Sequence, residues 1–329
     1  MHSLVPISDP YIALVGFPAR DTKHMLNGSV AESLGGVLFS ALALAALCEP
    51  MGWRAVPICN LGRDIADEAR RLLAGAGCSL EGVHVVDAPT QHSIITFTGP
   101  NERWERVEGK LPSLAPDHLA PWLTARALAV NFITGVEVDL ETFRWLREAY
   151  RGPIIVDYHT LALATLPDGR RKPRRRADWA AWMELPTVVQ MNRAEAEALA
   201  GRELPDVSAC KACARHLLSL GPQAVVITLA EEGAVGAERP HRISGELRGA
   251  RFAAHHVPAE PPPELVDTVG CGDVFLAALA VGWAVWGHLR PALALAVRAA
   301  GCHCSYEGLE GIGALRGVWC VTDVPATPS

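Results

Sequence analysis

The residues most suited to chemistry lie in a short segment, 267–273, which reads Asp-Thr-Val-Gly-Cys-Gly-Asp and is called the glycine turn below. Gly270 and Gly272 flank Cys271, and glycines so close together let the backbone turn sharply and direct successive N–H groups to one point. A long uncharged run typical of a buried helix follows, and a helix N-terminus adds partial positive charge. The glycine turn is therefore predicted to bind an anion.

Asp273, the last residue of the glycine turn, is the candidate base. At the start of a helix and beside a bound anion, its carboxylate can accept the proton of a hydroxyl that attacks a phosphoryl group. The alternative is an ordinary N-cap in a structural turn. Two common nucleotide motifs are excluded, because Phe275 stands where the dinucleotide fingerprint needs a third glycine and no G-x-x-x-x-G-K-[ST] motif occurs.

A parallel sheet is the framework that the periodicity predicts around this turn. Short apolar runs alternate with segments of helical period, and this succession favours strands covered by helices on both faces. Predicted strands cover residues 11–16, 54–59, 83–86, 127–132, 153–157, 187–191 and 224–229; predicted helices follow Gly36 and the glycine turn or cover residues 64–76, 140–150, 193–200 and 206–220. We predict one doubly wound α/β domain, with a mainly parallel sheet, over residues 1–329.

One region breaks the alternation of strands and helices. Residues 93–107 contain two strand-like runs around Gly-Pro-Asn at 99–101, a pattern that indicates a β-hairpin. A polar stretch also follows the first predicted strand. Together, segments at about 17–34 and 91–110 are predicted to form a small β lid on the domain.

Composition limits the partners of the chain. Its 329 residues are 50% hydrophobic and carry a net charge of −6, so no overall basic field exists to hold nucleic acid or an anionic membrane. The longest uncharged stretches, 33–48 and 274–289, are shorter than the roughly 20 residues of a spanning helix. Residues 1–10 lack the pattern of a secretory signal, and we expect a cytoplasmic protein. The basic run 170–176 is interpreted as a solvated loop, with a mobile anion clamp as the alternative.

The nine cysteines are expected to be reduced thiols. Cys210 and Cys213 recur at helical spacing with later leucines, which favours a buried helix face over a redox or zinc pair. The Cys-His-Cys run at 302–304 ends an alanine-rich stretch, and half of a metal site is the alternative there. Cys271 is interpreted as a buried, inert thiol rather than a redox control.

The glycine turn resembles the D-T-x-G-A-G-D signature of the ribokinase-like, PfkB-type carbohydrate kinases, with Cys271 in place of alanine. Other family elements follow in order: a Gly-Gly pair before a buried helix, Asn192-x-x-Glu195 after a strand, and Thr-Leu-Ala-Glu-Glu-Gly at 228–233. This similarity spans nearly the whole chain. It implies an ATP-dependent kinase that uses Mg²⁺ and phosphorylates a hydroxyl of a sugar, sugar derivative or nucleoside.

The resemblance also implies roles around the transferred phosphate. Asp273 would be the base, and the N–H groups of Gly270, Cys271 and Gly272 would stabilise the phosphoryl charge. The residues implied to bind the donor nucleotide are Asn192, Glu195, Thr228, Gly233 and Arg298, with Glu195 holding Mg²⁺ through water.

Several of these donor-side roles have alternatives. The spacing of Asn192 and Glu195 also predicts a capping box, which is compatible with the implied role. Arg298 stands where ribokinase has an asparagine near the base, and Ala230 replaces a family glycine. Asp267 is implied to bind a monovalent cation such as K⁺, with a turn-capping carboxylate as the alternative.

The acceptor side carries weaker signals. By resemblance, the acceptor is held by an aspartate after the first strand, by the Gly-Gly backbone and by a family asparagine that is here Ser40, so ribose bound as in ribokinase is not expected. Two further polar residues end predicted strands, where parallel sheets place ligands, although each is equally a loop cap. The predicted acceptor-binding residues are Asp21, Gly35, Gly36, Ser40, Asn131 and Asp157.

Two other functions stay open from the residues alone. One is a non-catalytic small-molecule sensor on the same fold, and the other is a thiol oxidoreductase built on Cys210 and Cys213. The resemblance further implies a homodimer formed through the lid. Neither nucleic acid nor a membrane is an expected partner.

Overall fold

A computed structural model describes residues 9–98, 103–240 and 252–319. The strands are β1 (Tyr11–Gly16), β2 (Pro18–His24), β3 (Val30–Gly36), β4 (Arg54–Gly62), β5 (Val83–Val86), β6 (Gln91–Phe97), β7 (Arg103–Glu108), β8 (Ala127–Asn131), β9 (Ile154–Asp157), β10 (Leu163–Thr165), β11 (Arg171–Pro173), β12 (Val188–Asn192), β13 (Ala224–Thr228), β14 (Ala234–Glu238) and β15 (Ala253–Val257). The α-helices are α1 (Val37–Cys48), α2 (Ala66–Gly75), α3 (Pro116–Leu119), α4 (Leu140–Ala149), α5 (Trp179–Glu184), α6 (Arg193–Ala200), α7 (Val207–Leu217), α8 (Cys271–Trp286) and α9 (Leu289–His303). Short 3₁₀ helices cover Glu49–Met51, Ala120–Trp122, His159–Ala162, Leu218–Leu220, Ala230–Glu232 and Ile312–Val318.

The central sheet confirms the predicted fold class. Within the described residues its order is β15-β14-β13-β12-β9-β8-β1-β4-β5, with parallel pairing from β13 to β5 and helices on both faces. The two strands beyond β13 pair antiparallel and were not predicted from the sequence. They extend the sheet at one edge and leave the parallel centre intact.

Two predominantly apolar helices form the centre of the core beside the glycine turn. Every residue of α1 is buried, and α8 is buried from Val274 to Trp283. The helices pack against each other and against the parallel strands. Because apolar residues lie on all sides of both helices, neither leaves a polar face for solvent, as expected for helices inside a globule.

A separate small sheet, called the lid sheet below, confirms the predicted β element. Its order is β3-β2-β6-β7, so the two segments 17–34 and 91–110 contribute two strands each. The stretch read as polar thus forms a hairpin whose residues are mostly half-exposed or exposed. The predicted Gly-Pro-Asn turn lies outside the described residues.

The basic run 170–176 was interpreted as a solvated loop or a mobile anion clamp, but part of it forms a strand. Its first half forms β11, which pairs with β10 in a hairpin beside β7 of the lid sheet. The Arg171 side chain is only 6% exposed and donates to Glu105 Oε1 (3.4 Å), Gln91 Oε1 (3.3 Å) and the Ile133 carbonyl (3.3 Å). Arg171 therefore joins the hairpin to the lid sheet and the core.

The described cysteines are free thiols. Cys210 and Cys213 are buried on α7, as the helical spacing predicts. Burial raises the pKa of Cys213 to about 11, the opposite of what a reactive thiol pair needs. Among the described residues, no helix combines the length and apolar character needed to cross a membrane.

Candidate active site

Three neighbouring strands end at aligned residues near the glycine turn, and a fourth strand, β12, aligns with them through Gln190. Gly16 of β1 pairs with Asn131 of β8, and Asn131 pairs with Asp157 of β9. Asp157 pairs in turn with Gln190 of β12. Because the strands are parallel, their carboxyl ends meet at one edge, where α/β proteins bind ligands.

The glycine turn forms the N-terminus of α8. Gly270 has a φ of 80°, and an added Cβ there would lie 2.3 Å from the Phe39 ring. The Cys271 N–H donates to the Thr268 carbonyl at 3.4 Å, whereas within the described residues the N–H groups of Gly270 and Gly272 have no recorded partner. An added Cβ at Gly272 would meet nothing within 4 Å. The turn therefore presents open space and donors at a helix N-terminus.

Asp273 is held from two sides by side chains distant in sequence. Asn131 Nδ2 donates to Asp273 Oδ1 at 2.6 Å and to Ser40 Oγ at 2.8 Å, while Ser40 Oγ donates to the Asp273 carbonyl at 3.0 Å. Burial raises the pKa of Asp273 to about 6, although the Asn131 hydrogen bond opposes the shift. The structure thus brings together three of the predicted site residues.

A second carboxylate, Asp21 of β2, faces the same space from the lid sheet. An added Cβ at Gly35 would lie 2.6 Å from Asp21 Oδ2, so a larger residue there would displace this carboxylate. Burial raises the pKa of Asp21 to about 6, and the charge of Asp273 adds to that shift. Gly36, at a φ of 64°, caps α1, and an added Cβ there would lie 2.7 Å from the Phe17 carbonyl.

His159 was not among the predicted site residues. Its Nδ1 lies 2.9 Å from Glu195 Oε1; burial lowers its pKa, but the hydrogen bond and charge of Glu195 outweigh burial and raise it to about 9. Burial, followed by the charge of Glu195, raises the pKa of Asp157 well above its ordinary value. The charges of Asp157 and Asp273 also help to raise the pKa of His159, so its imidazolium lies near three acidic side chains, those of Asp157, Glu195 and Asp273. Its position directly after a strand end was the signal available in the sequence.

Gln190 was also missed. It is 2% exposed, and its Nε2 donates to the Gly272 carbonyl at 2.9 Å and to Asp157 Oδ2 at 3.3 Å. This amide ties the end of β12 to the glycine turn. A polar residue inside the apolar run 187–191 was the signal that could have identified it.

The predicted donor-side residues lie along the ends of β12 and β13. Asn192 pairs with Thr228 across these strands, and Asn192 and Glu195 form the predicted capping box. Gly233 has a φ of 87°, and an added Cβ there would lie 2.1 Å from the Val257 carbonyl. Ala230, in the place of the family glycine, has a φ of 51°.

Two predicted residues make structural contacts away from this row. Arg298 Nη1 donates to the Val318 carbonyl at 2.9 Å, which ties α9 to the 3₁₀ helix Ile312–Val318. Asp267 accepts the N–H groups of Val269 at 2.9 Å and Gly308 at 3.2 Å, as the alternative turn-capping role predicts. The described part of the chain holds no group of three or more His, Cys, Asp or Glu side chains arranged for a metal ion.

Comparisons with known proteins point to one family. Residues 166–312 match the pfkB family carbohydrate kinases. A 1-phosphofructokinase of Xanthomonas campestris pv. campestris is 30% identical over 221 residues, which cover 66% of this chain and 60% of the relative. A ribokinase of Mus musculus is 35% identical over 105 residues, or 32% of this chain and 29% of the relative. The matched regions thus span less than two thirds of these relatives.

Solved structures agree on the fold. Ribokinase from Giardia lamblia superposes with a TM-score of 0.71 at 19% identity, over 94% of this chain and 97% of that one. Arabidopsis thaliana ribokinase complexed with ribose and ATP gives a TM-score of 0.68 at 17% identity, over 94% and 99% of the two chains. The resemblance seen in the sequence is therefore confirmed: residues 166–312 are similar to the PfkB family carbohydrate kinases, and the chain has the ribokinase fold.

Proposed function

We propose that the protein transfers a phosphoryl group from ATP to a hydroxyl of a sugar, sugar derivative or nucleoside, with Asp273 as the base. The observation that carries the proposal is the position of this half-buried carboxylate. It lies in the first turn of α8, beside the open face of Gly272, and is held by Asn131 at 2.6 Å. A carboxylate beside a helix N-terminus that can bind phosphate is suited to deprotonate an attacking hydroxyl.

Phosphate binding is supported by the local backbone. The N–H groups of Gly270 and Gly272 have no recorded partner within the described residues, and the dipole of α8 adds positive potential. As the leaving and transferred phosphates gain charge, such fixed donors stabilise that charge without having to reorganise. The protonated His159 adds a positive charge beside Glu195 and within electrostatic reach of Asp273.

Mg²⁺ fits the excess of carboxylates. The raised pKa of Asp157 has the charge of Glu195 as its second cause, and a divalent cation nearby would relieve this repulsion. We propose that Glu195 holds Mg²⁺ through water, because both of its oxygens already accept hydrogen bonds from Asn192. When bound to the phosphates, the ion would neutralise part of their charge. We keep Asp267 as the proposed ligand of K⁺, since each of its oxygens retains a lone pair.

The acceptor is proposed to lie between Asp21 and Asp273. The two carboxylates are close enough for the charge of Asp273 to raise the pKa of Asp21, and the Gly35 backbone lies next to the Asp21 side chain. Ser40 is already hydrogen-bonded to Asn131 and to the Asp273 carbonyl, which suits it to support the base more than to bind a sugar. Closure of the lid sheet over this space would exclude water from the reaction.

The test is a screen for ADP production with ATP and Mg²⁺ against pentoses, ketohexoses, fructose phosphates and nucleosides. We expect turnover with at least one class. For that acceptor, Asp273→Asn should lower kcat by at least about a thousandfold while nucleotide affinity stays within about threefold. Near-normal turnover of the variant would refute Asp273 as the base. Ligand binding without ADP production by any acceptor would favour the non-catalytic sensor.

A further inference from the structure

Two thiols meet behind the glycine turn. The sulfur atoms of Cys271 and Cys304 are 3.0 Å apart, closer than ordinary non-bonded contact. Cys271 is the first residue of α8, and Cys304 caps the C-terminus of the antiparallel neighbour α9. Both residues are partly exposed, so a small oxidant can reach them.

The contact brings together the ends of two helices that pack along their length. Residues 271 and 304 are 33 positions apart in sequence, and the pair forms because α8 and α9 run side by side. A disulfide bond has a sulfur separation of about 2.05 Å, so the sulfurs need to approach by only about 1 Å. By contrast, Cys210 and Cys213 are buried in the core and have no such contact recorded.

We propose that Cys271 and Cys304 are a reversible disulfide pair that hydrogen peroxide closes. The peroxide oxidises one thiol to a sulfenic acid and is itself reduced to water. The sulfur of the second cysteine then attacks the sulfenic sulfur, the S–S bond forms, and the hydroxyl leaves as a second water. Two thiols thus lose two electrons and two protons to one peroxide. A dithiol reductant restores both thiols by exchange.

The consequence for phosphoryl transfer rests on the proposed function. Cys271 lies between Gly270 and Gly272, so a bond from its sulfur to α9 pulls on the peptide groups proposed to bind phosphate. Gly270 cannot follow freely, because an added Cβ there would already lie 2.3 Å from the Phe39 ring and the backbone packs closely against it. Misplacement of catalytic groups by about 1 Å can cost about a hundredfold in rate. The disulfide form is therefore the inactive form.

Peptide mapping of the full-length protein tests the pair without reference to activity. The protein is treated with a small molar excess of hydrogen peroxide, alkylated and digested with trypsin. We expect a cross-link between the peptides that cover residues 252–298 and 299–316, and its loss after dithiothreitol. The second peptide also contains Cys302, so the variant Cys302→Ser assigns the bond to Cys304. In that variant the cross-link should persist, and in Cys304→Ser it should disappear.

Two results would overturn the proposal. One is a cross-link that survives in Cys304→Ser. The other is that Cys271 and Cys304 are both still alkylated after a peroxide treatment that has oxidised other cysteines. Should Cys304→Ser fold poorly, Cys271→Ala offers a second route, because alanine is the residue that the family signature has there; it should also lose the cross-link.

A second measurement addresses the regulatory consequence. Peroxide should lower turnover of the native protein and of Cys302→Ser by at least about tenfold, dithiothreitol should restore it, and Cys304→Ser should keep its rate in both conditions. If the disulfide is mapped but turnover is unchanged, the claim that the disulfide form is inactive is refuted, whereas the claim that Cys271 and Cys304 form a disulfide stands. If no acceptor supports turnover at all, the proposed function fails, and the mapping still decides the disulfide.

Discussion

The raised pKa of Asp273 means that the ionised form, which a base requires, is also the form that lowers the stability of the fold. The pKa of this carboxyl is about 6 in the fold against 3.8 in the unfolded chain, so the folded state binds the proton more tightly. Ionisation therefore costs stability as pH rises from 3.8 towards 6. Such a loss of stability is common where function constrains the choice of residue, and it agrees with the proposed role of Asp273 as the base.

Asp273→Asn should consequently stabilise the protein at neutral pH. The asparagine keeps an oxygen that can accept from Asn131 but carries no charge at this half-buried position. We therefore expect a gain of about 2 kcal/mol near pH 7.5 that vanishes below about pH 4. Urea denaturation at both pH values measures this difference. Equal stability of the two proteins at pH 7.5 would contradict a raised pKa. In the native enzyme, the same ionisation predicts that kcat/KM falls as pH drops through about 6.

We expect Gly272 to be needed for ligand approach but not for folding. An added Cβ there meets nothing within 4 Å, and the residue lies in the first turn of α8. Gly272→Ala should therefore raise stability by about 0.5 kcal/mol through helix propensity. The new methyl group should still lower kcat/KM at least about tenfold, since it occupies the space proposed for phosphate.

Gly75→Ala provides the matched control for this glycine. Gly75 ends α2, and an added Cβ there also meets nothing within 4 Å. Thermal denaturation and steady-state kinetics of both variants separate stability from function. Full activity of Gly272→Ala would argue against a phosphate at this position.

At the scale of elements, the turn after β13 holds an alanine in a conformation that favours glycine. Ala230 has a φ of 51°, and the left-handed region costs a non-glycine residue about 1–2 kcal/mol. Ala230→Gly should stabilise the protein by about 0.5–1 kcal/mol after the entropy of the unfolded glycine is subtracted. Ala74→Gly, at an exposed position within α2, should instead destabilise by about 1 kcal/mol. Urea denaturation that shows the same sign for both variants would be inconsistent with a strained Ala230.

The β10–β11 hairpin links the lid sheet to the core through Arg171. Arg171→Met should remove its hydrogen bonds to Glu105, Gln91 and the Ile133 carbonyl, at a cost of about 1–3 kcal/mol. We also expect the KM of the acceptor to rise more than the KM of ATP, because the lid sheet carries Asp21. Arg170→Met is the control: its partner Asp168 is on the surface, and the loss should stay below about 1 kcal/mol. Equal rises in both KM values would show that the hairpin does not orient the lid sheet.

At the scale of the whole molecule, the lid sheet and its β2–β3 turn expose apolar side chains. Leu26, Val30 and Trp104 are 58%, 55% and 41% exposed, which supports the proposal of a homodimer through this sheet. Val30→Lys should then shift the protein from dimer to monomer in analytical ultracentrifugation. Leu265→Lys, at a 66% exposed position outside the lid sheet, should leave the dimer intact. A native protein that sediments as a monomer at micromolar concentration would rule out this assembly.

Local patterns were enough to predict much of this molecule. The parallel strands and buried helices followed from apolar periodicity, because their side chains are buried on both faces. The glycine turn and the capping box of Asn192 and Glu195 were also predictable, since each depends on residues only a few positions apart. The strands of the polar stretch, β2 and β3, lack a clean alternation because many of their residues are half-exposed.

Only the tertiary structure decided which polar groups meet at the site. Asn131 and Asp273 are 142 residues apart, and their hydrogen bond exists because parallel pairing brings the end of β8 beneath the N-terminus of α8. Gln190 reaches the glycine turn for the same reason, and strand register aligns it with Asp157. The sequence by itself determined the elements and the chemistry of the glycine turn. Strand register and helix packing depend on contacts between distant segments, and they decided which side chains contact the glycine turn.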